Sequence, residues 1–307
     1  MTGTRFAEPG ASKVVAEQAS FTKAARRTLP ATDLILAVGA SGKFAGLVVP
    51  ALAAKGARVR GLLRTPEQAD RVREAGAAEI AIAELNDTAA VESALDGVTS
   101  VFYIAPAFIP HEVTVGTQMV RAAIRAGVRR FVFSSVIHPV LSRLVNHHAK
   151  APVEEAVLDS GLEFTFLHPA VYFQNYAQAW PTIAKTGILA EPWSSDTRFS
   201  RVDFRDVAEV AAIALTEDRL LNGTFELCSD GALNRHQVAE LIEDVLGRKI
   251  EAKRIVPESL PGLAGPMRQM FEYYDHHSLL GNPLILRTIL GRKPRTLRAY
   301  FEELAAN

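Results

Sequence analysis

The sequence predicts a doubly wound α/β fold, a parallel sheet with helices on both faces, on three observations. Short apolar runs alternate with longer helical patterns from Asp33 onward, a glycine closes each helical pattern just before the next run, and a glycine-rich loop follows the first run directly. The runs are Leu34-Val38, Ala57-Leu63, Ala77-Ala83, Val98-Ile104, Val128-Ser134 and Leu162-Leu167. The closing residues Gly56, Gly76, Gly97, Gly127 and Gly161 lack the Cβ that penalises the left-handed conformation ending a helix. Thr65 before Pro66 reads as an N-cap with proline at the first helical position, and Asp87-Thr88 offers a second N-cap before Ala89-Leu95. Strand, helix and strand at this spacing imply right-handed crossovers and a covered parallel sheet.

From about residue 171 the pattern is less regular. Tyr172-Lys185 reads as helical, Phe199-Val202 as extended, Asp206-Thr216 as helical, Thr224-Cys228 as extended and Asn234-Leu246 as a further helix. Prolines at 257, 261, 266, 283 and 294 then divide the chain into short helices, and Thr296 is an N-cap for the last, Leu297-Leu304. The organisation expected is an extension over 1–32, a sheet domain over 33–170 to which 203–228 return, and a smaller, mostly helical lobe over 171–202 and 229–307 closing over the sheet.

Across 307 residues, 34 Lys and Arg balance 34 Asp and Glu, which argues against a nucleic-acid partner or an anionic membrane. With 48% apolar residues the chain can build a sizeable core. Cys228 is the single cysteine, so an internal disulfide and a multi-thiolate zinc site are both ruled out, and the cytoplasm is the default location. No segment offers the run of about 18 apolar residues that a spanning helix needs. The extension has no hydrophobic signal core; Glu8 and Glu17 sit poorly in a transit peptide, whereas Arg26-Arg27 and the alanines suit one, and its role stays open.

The strongest chemical signal is the loop Gly39-Ala40-Ser41-Gly42-Lys43-Phe44-Ala45-Gly46, placed between the first strand and a helical pattern over Leu47-Leu52. Gly39 permits the tight turn, Gly42 lets backbone approach a pyrophosphate, and unpaired N–H groups at the start of the helix face that anion. This makes 33–170 a dinucleotide-binding (Rossmann) domain. Pro50 inside the helical pattern has no explanation in the sequence.

An acid at the end of the second strand ordinarily accepts the ribose 2'-hydroxyl of NAD. Here that strand ends Leu62-Leu63-Arg64-Thr65, and Arg64 can pair with a 2'-phosphate instead. Lys43 either helps neutralise the same phosphate or is a solvated surface cation. NADP(H) is therefore the preferred cofactor, with NAD(H) a lesser option.

Gly39-Ala40-Ser41-Gly42, Arg64, Leu85-Asn86-Asp87 and Ser134-Ser135-Val136 together resemble the NmrA-like atypical short-chain dehydrogenases. Leu167-His168-Pro169 with Tyr172-Phe173-Gln174-Asn175-Tyr176, and Val202-Asp203-Phe204-Arg205-Asp206-Val207-Ala208, resemble two later segments of that family, so the likeness spans about 34 to 304. It implies that Gly39, Ser41, Gly42, Lys43, Phe44, Arg64, Asn86, Asp87, Ala105, Pro106, Ser134, Lys150, Pro169 and Phe173 contact the cofactor. The third family glycine corresponds to Ala45, with Gly46 one residue late, and alanine is tolerated there. The family includes NADPH-dependent reductases and non-catalytic proteins that sense the NADP state.

Ordinary short-chain dehydrogenases place a tyrosine four residues before a lysine, so that the ammonium lowers the phenol pKa. No Tyr-x-x-x-Lys occurs here: the family-equivalent lysine is Lys150, and Asn146 stands four residues before it. The resemblance implies that Lys150 binds the nicotinamide ribose or assists proton transfer. His147, three residues before Lys150, shares its helix face and can donate a proton, although a surface or capping histidine is its plainer role. His148 falls off that face. Neither His147-His148 nor His276-His277 suits a metal, because helical neighbours diverge. Ser135 ends the fifth strand, where such sheets present substrate-facing groups, and a turn cap is its plainer role.

Phe108, Tyr172, Phe173, Tyr176, Trp180, Trp193, Tyr273 and Tyr274 gather in the expected cap; those that reach the cleft favour a flat apolar substrate such as a quinone or aromatic ketone. Two functions follow as expectations: an NADPH-dependent reductase in which Lys150 positions the ribose and His147 or water supplies the proton, and a non-catalytic NADP(H) sensor acting on a regulatory protein partner. A homodimer is compatible with either. A sugar-nucleotide epimerase ranks last, since it needs the missing tyrosine.

Overall fold

A computed structural model describes residues 33–306 apart from 107, 261 and 264. The extension over 1–32 lies outside the described residues. In chain order the first half runs β1 (Leu34–Val38), α1 (Val48–Ala54), β2 (Arg58–Leu63), α2 (Ala69–Glu74), β3 (Glu79–Ile82), α3 (Thr88–Ala94), β4 (Ser100–Ile104), α4 (Glu112–Arg125) and β5 (Arg130–Ser134). It continues with α5 (Val145–His148), α6 (Ala151–Leu158), β6 (Glu163–Pro169), β7 (Val171–Tyr172), α7 (Asn175–Thr186), β8 (Ile188–Glu191), β9 (Phe199–Val202) and α8 (Phe204–Thr216). The remainder is β10 (Gly223–Leu227), β11 (Ala232–Leu233), α9 (Arg235–Leu246), β12 (Glu251–Arg254), α10 (Gly265–His276), α11 (Leu284–Leu290) and α12 (Leu297–Ala306).

Seven strands form one parallel sheet in the order β10-β6-β5-β4-β1-β2-β3. The order reverses between β1 and β4, the switch point at which open α/β sheets bind ligands beyond the strands' carboxyl ends. β1 and β4 are buried nearly throughout, as expected of central strands covered on both faces. Two apolar clusters pack on the two faces, one around Val48, Leu52, Val207 and Val210, the other around Leu95, Met119, Ala123 and Val153.

All five closing glycines have positive φ, from 69° at Gly97 to 110° at Gly76. Asp87 caps α3, its carboxylate accepting from the Ala90 N–H at 3.0 Å. Thr65 occupies the N-cap position of a 3-10 turn over Pro66–Gln68 but makes no side-chain capping bond. Pro50 now has an account: a 3-10 turn over Ala45–Leu47 precedes α1, so the exposed proline falls in the first α turn, where a missing N–H leaves little unsatisfied.

The second half departs from expectation in three places. Tyr172 belongs to β7, paired with Val202 of β9, and the helix expected from Tyr172 begins only at Asn175. A three-stranded sheet, β11-β9-β7, and a two-stranded one, β12-β8, carry the cap, which is therefore less purely helical than expected. α11 is not cap: Leu286 and Ile289 join the sheet-domain cluster with Leu220 and Leu227. The cap core proper is Phe173, Trp180, Val238, Ile242 and Phe301, with Trp180 stacked on Phe301 at 5.6 Å. Asn234 and Gln237 close a reciprocal capping box on α9.

Candidate active site

The glycine loop is built for an anion. Gly39 has φ +72°, a left-handed turn that a side chain would strain, and the N–H groups of Gly39 and Ala40 both donate to the Leu62 carbonyl at 3.1 Å, fixing the loop to the end of β2. A Cβ on Gly42 would stand 3.0 Å from the Gly39 oxygen, and one on Gly46 3.2 Å from the Ala40 oxygen. The N–H groups of Lys43 and Phe44 donate to no acceptor among the described residues. Phe44 anchors the far side of the loop, its ring 4.5 Å from Tyr172 and 5.2 Å from Phe204. Free N–H groups in a cradle that only glycine leaves open fit a pyrophosphate.

Arg64 projects into solvent just beyond β2, 76% of its side chain exposed, with Glu84 at 3.8 Å as its nearest carboxylate. Sequence reasoning missed a second cation here: Arg71 of α2 reaches back to donate to the Ser41 carbonyl at 2.5 Å. The Lys43 ammonium lies 5.4 Å from the Phe44 ring, and partial burial lowers its pKa. Asn86 is exposed in the turn after β3, while the Asp87 carboxylate is committed to capping α3.

A cleft of about 690 Å³ runs from this loop over the ends of β4, β5 and β6 to the cap. Gly39, Gly42, Lys43 and Phe44 line one end, and Ala105, Pro106, Ser134 and Pro169 line the middle. Ser41, Arg64, Asn86 and Asp87 stand outside the lining. Phe173 also stands outside the lining: its ring is buried in the cap core, 5.9 Å from Tyr300.

Lys150, His147 and Asn146 reach the cleft together, but not from one helix. α5 stops at His148 and α6 starts at Ala151, because Pro152 in the first turn of α6 cannot continue a helix through the preceding residues. Lys150 stands at that break. Neither residue is superficial: Lys150 is 5% and His147 1% exposed. The Lys150 ammonium is paired with Glu112, the first residue of α4, in a buried ion pair. Glu112 was not singled out from the sequence, and its distance of 38 positions from Lys150 gave no local signal.

His147 is neutral. Burial chiefly, with a smaller contribution from the Lys150 charge, pulls its pKa down to about 4, and Nδ1 lies 3.4 Å from the His138 carbonyl. That shift disfavours a standing imidazolium at neutral pH, while the neutral ring keeps one N–H that can donate a hydrogen bond in the cleft. The Ser135 hydroxyl donates to Glu154 at 2.5 Å, and His168 holds the same carboxylate oxygen at 2.9 Å. Ser135 lone pairs remain to accept from a ligand in the cleft. The Asn146 amide oxygen is buried without a partner among the described residues.

Phe108, Tyr172, Tyr176, Trp193 and Tyr274 line the cleft. Phe108 comes from the loop after β4 and not from the cap, and Phe173, Trp180 and Tyr273 turn elsewhere. The described residues contain no helix long and apolar enough to cross a membrane and no group of three or more His, Cys, Asp or Glu placed to hold a metal.

Residues 31–302 match the model of the NmrA-like family. An NAD(P)H azoreductase of Xenophilus azovorans is 28% identical over 89% of this chain and 98% of its own length. A (4-alkanoyl-5-oxo-2,5-dihydrofuran-3-yl)methyl phosphate reductase of Streptomyces griseus is 31% identical over 72% of this chain and 77% of its own. Among solved structures, an Escherichia coli NADPH-dependent quinone oxidoreductase in complex with NADPH superposes with a TM-score of 0.79, at 22% identity, over 89% of this chain and 99% of that one.

Proposed function

We propose, from the premise that this chain belongs to the NmrA-like family, that it is an NADPH-dependent reductase of a flat, apolar quinone or related aromatic carbonyl. The observation that carries this reading is the single cleft joining the glycine cradle to an aromatic wall, with buried Lys150 between them. When bound, NADPH supplies the hydride. Gly39, Gly42 and the free N–H groups of Lys43 and Phe44 would hold its pyrophosphate, Arg64 and Arg71 its 2'-phosphate, and Lys150 its nicotinamide ribose. Phe108 and Tyr172 wall off water around the substrate.

The protonation pattern favours a quinone over a simple ketone. A hydride and one proton together convert a quinone to a hydroquinone; the oxygen left by hydride addition is phenolate-like, with a conjugate acid near the tyrosine value of about 10. Such an anion needs only a hydrogen bond and then water. An alkoxide from a ketone is far more basic and calls for a positioned acid, whereas burial disfavours the charged form of His147 and the Ser135 hydroxyl is directed at Glu154. The absence of a Tyr-x-x-x-Lys pair favours the second reading, an NADP(H) sensor, which requires unequal affinity for the oxidised and reduced cofactor.

Titration of the purified protein with NADPH, NADP and NADH, followed by loss of reduced-nicotinamide absorbance with matched quinones and aromatic ketones, separates these readings. Turnover of quinones above ketones is the expected result. Tight binding without turnover would transfer the function to the sensor.

A further inference from the structure

The cap end of the cleft holds a charge that hydride transfer does not use. Arg201 of β9 lines the cleft, yet it is only 4% exposed. Its Nη1 donates to the carbonyls of Phe199 at 3.0 Å and Leu233 at 2.9 Å, and its Nε has no partner among the described residues. The rings of Phe199 and Tyr176 lie 5.5 Å and 5.8 Å from the guanidinium carbon.

No carboxylate of the described residues forms an ion pair with Arg201 within 4.0 Å. Glu191, which also lines the cleft, is engaged by the fully buried Arg235 at 3.1 Å. Tyr176 stays a neutral phenol because burial raises its pKa, and its hydroxyl accepts a hydrogen bond from the Arg201 guanidinium, which gives Arg201 a dipole but no counter-charge. Arg201 is thus left as a buried positive charge among aromatic rings, with no carboxylate of the described residues paired to it. A buried guanidinium is costly unless a counter-charge and hydrogen-bond acceptors satisfy it, and its planar fork suits an oxyanion.

We propose that Arg201 is an anion subsite for the substrate: the flat molecule that the cleft accepts carries a carboxylate, sulfonate or phosphate group, which binds this guanidinium. The orientation of that molecule toward the nicotinamide rests on the reductase reading; the subsite does not. A neutral analogue leaves the charge uncompensated and is discriminated against for that reason.

Two measurements test the subsite separately from turnover. The first compares kcat/KM for a naphthoquinone sulfonate with that for the unsubstituted naphthoquinone, each with NADPH. The wild type is expected to favour the sulfonate about tenfold or more, Arg201→Gln to lose that preference and Arg201→Lys to keep part of it. The ratio is taken within one preparation, so it is independent of the folded fraction. A wild-type ratio near one, or a ratio that Arg201→Gln leaves intact, overturns the proposal.

The second is calorimetric titration of the NADP-loaded protein with naphthalenesulfonate and with neutral naphthalenemethanol. Preferential binding of the sulfonate that Arg201→Gln abolishes supports the subsite even if no quinone is reduced, in which case only the reductase reading falls. Equal affinity for the two probes overturns the subsite.

Discussion

Lys150, which lines the cleft, is held in an ion pair by Glu112 behind it, each with only 7% of its side chain exposed. Removing one partner of such a pair strands the other as a buried charge, which costs about 3 to 5 kcal/mol, whereas removing both costs less. Lys150→Met and Glu112→Gln should therefore each lower stability by about that much in urea unfolding, and the double variant by less than their sum. Additive losses would show that the pair does not act as a unit. If Lys150 also positions the cofactor, the double variant should remain poor in turnover after its stability has recovered.

Arg64 stands beyond β2 with 76% of its side chain exposed, so its removal should scarcely change stability. Arg64→Ala is expected to weaken NADPH about tenfold while moving NADH little, as read by quenching of protein fluorescence. Equal weakening of both cofactors would end the 2'-phosphate assignment. Arg71→Ala should reproduce part of the effect, because its guanidinium is already directed at the loop through the Ser41 carbonyl.

Gly39 and Gly42 should fail differently. Gly39→Ala places a Cβ at φ +72° and should cost about 1 to 2 kcal/mol of stability whether or not cofactor is present. Gly42→Val puts bulk against the Gly39 carbonyl and into the cradle, so NADPH affinity should collapse by far more than apo-protein stability falls. Thermal melts with and without NADPH distinguish the two. Cofactor-induced stabilisation surviving in Gly42→Val would remove the pyrophosphate from this loop.

The parts of this fold and site that sequence made legible are those written locally. A helix-ending glycine before each strand, an N-cap such as Asp87, and a glycine loop after β1 each act over a few residues, and all fell where the pattern put them. What escaped depends on contacts between distant segments. Tyr172 looks helical by its neighbours but pairs with Val202, an override of local preference by a strand 30 positions away in sequence. Glu112, Arg71 and Arg201 look like surface charges until the fold places them against Lys150, the Ser41 carbonyl and the aromatic wall. One signal was available and unused: Pro152 marks the break at which Lys150 stands.

His147 sets an acid limit on the fold. Its pKa is about 4 in the folded protein against 6.5 for the unperturbed side chain, because burial disfavours the charged ring. The unfolded chain therefore binds a proton more readily than the native state between these values, and stability contributed by the neutral ring is complete above about pH 6.5 and declines as pH falls toward 4. From pH 7 to pH 5 this one residue should account for about 2 kcal/mol of lost stability. His147→Gln, which has no titratable group but can still donate to the His138 carbonyl, should flatten that part of the profile relative to wild type. Urea unfolding of both proteins at the two pH values measures the difference directly. If both proteins lose the same amount, His147 is not the group held neutral by the fold.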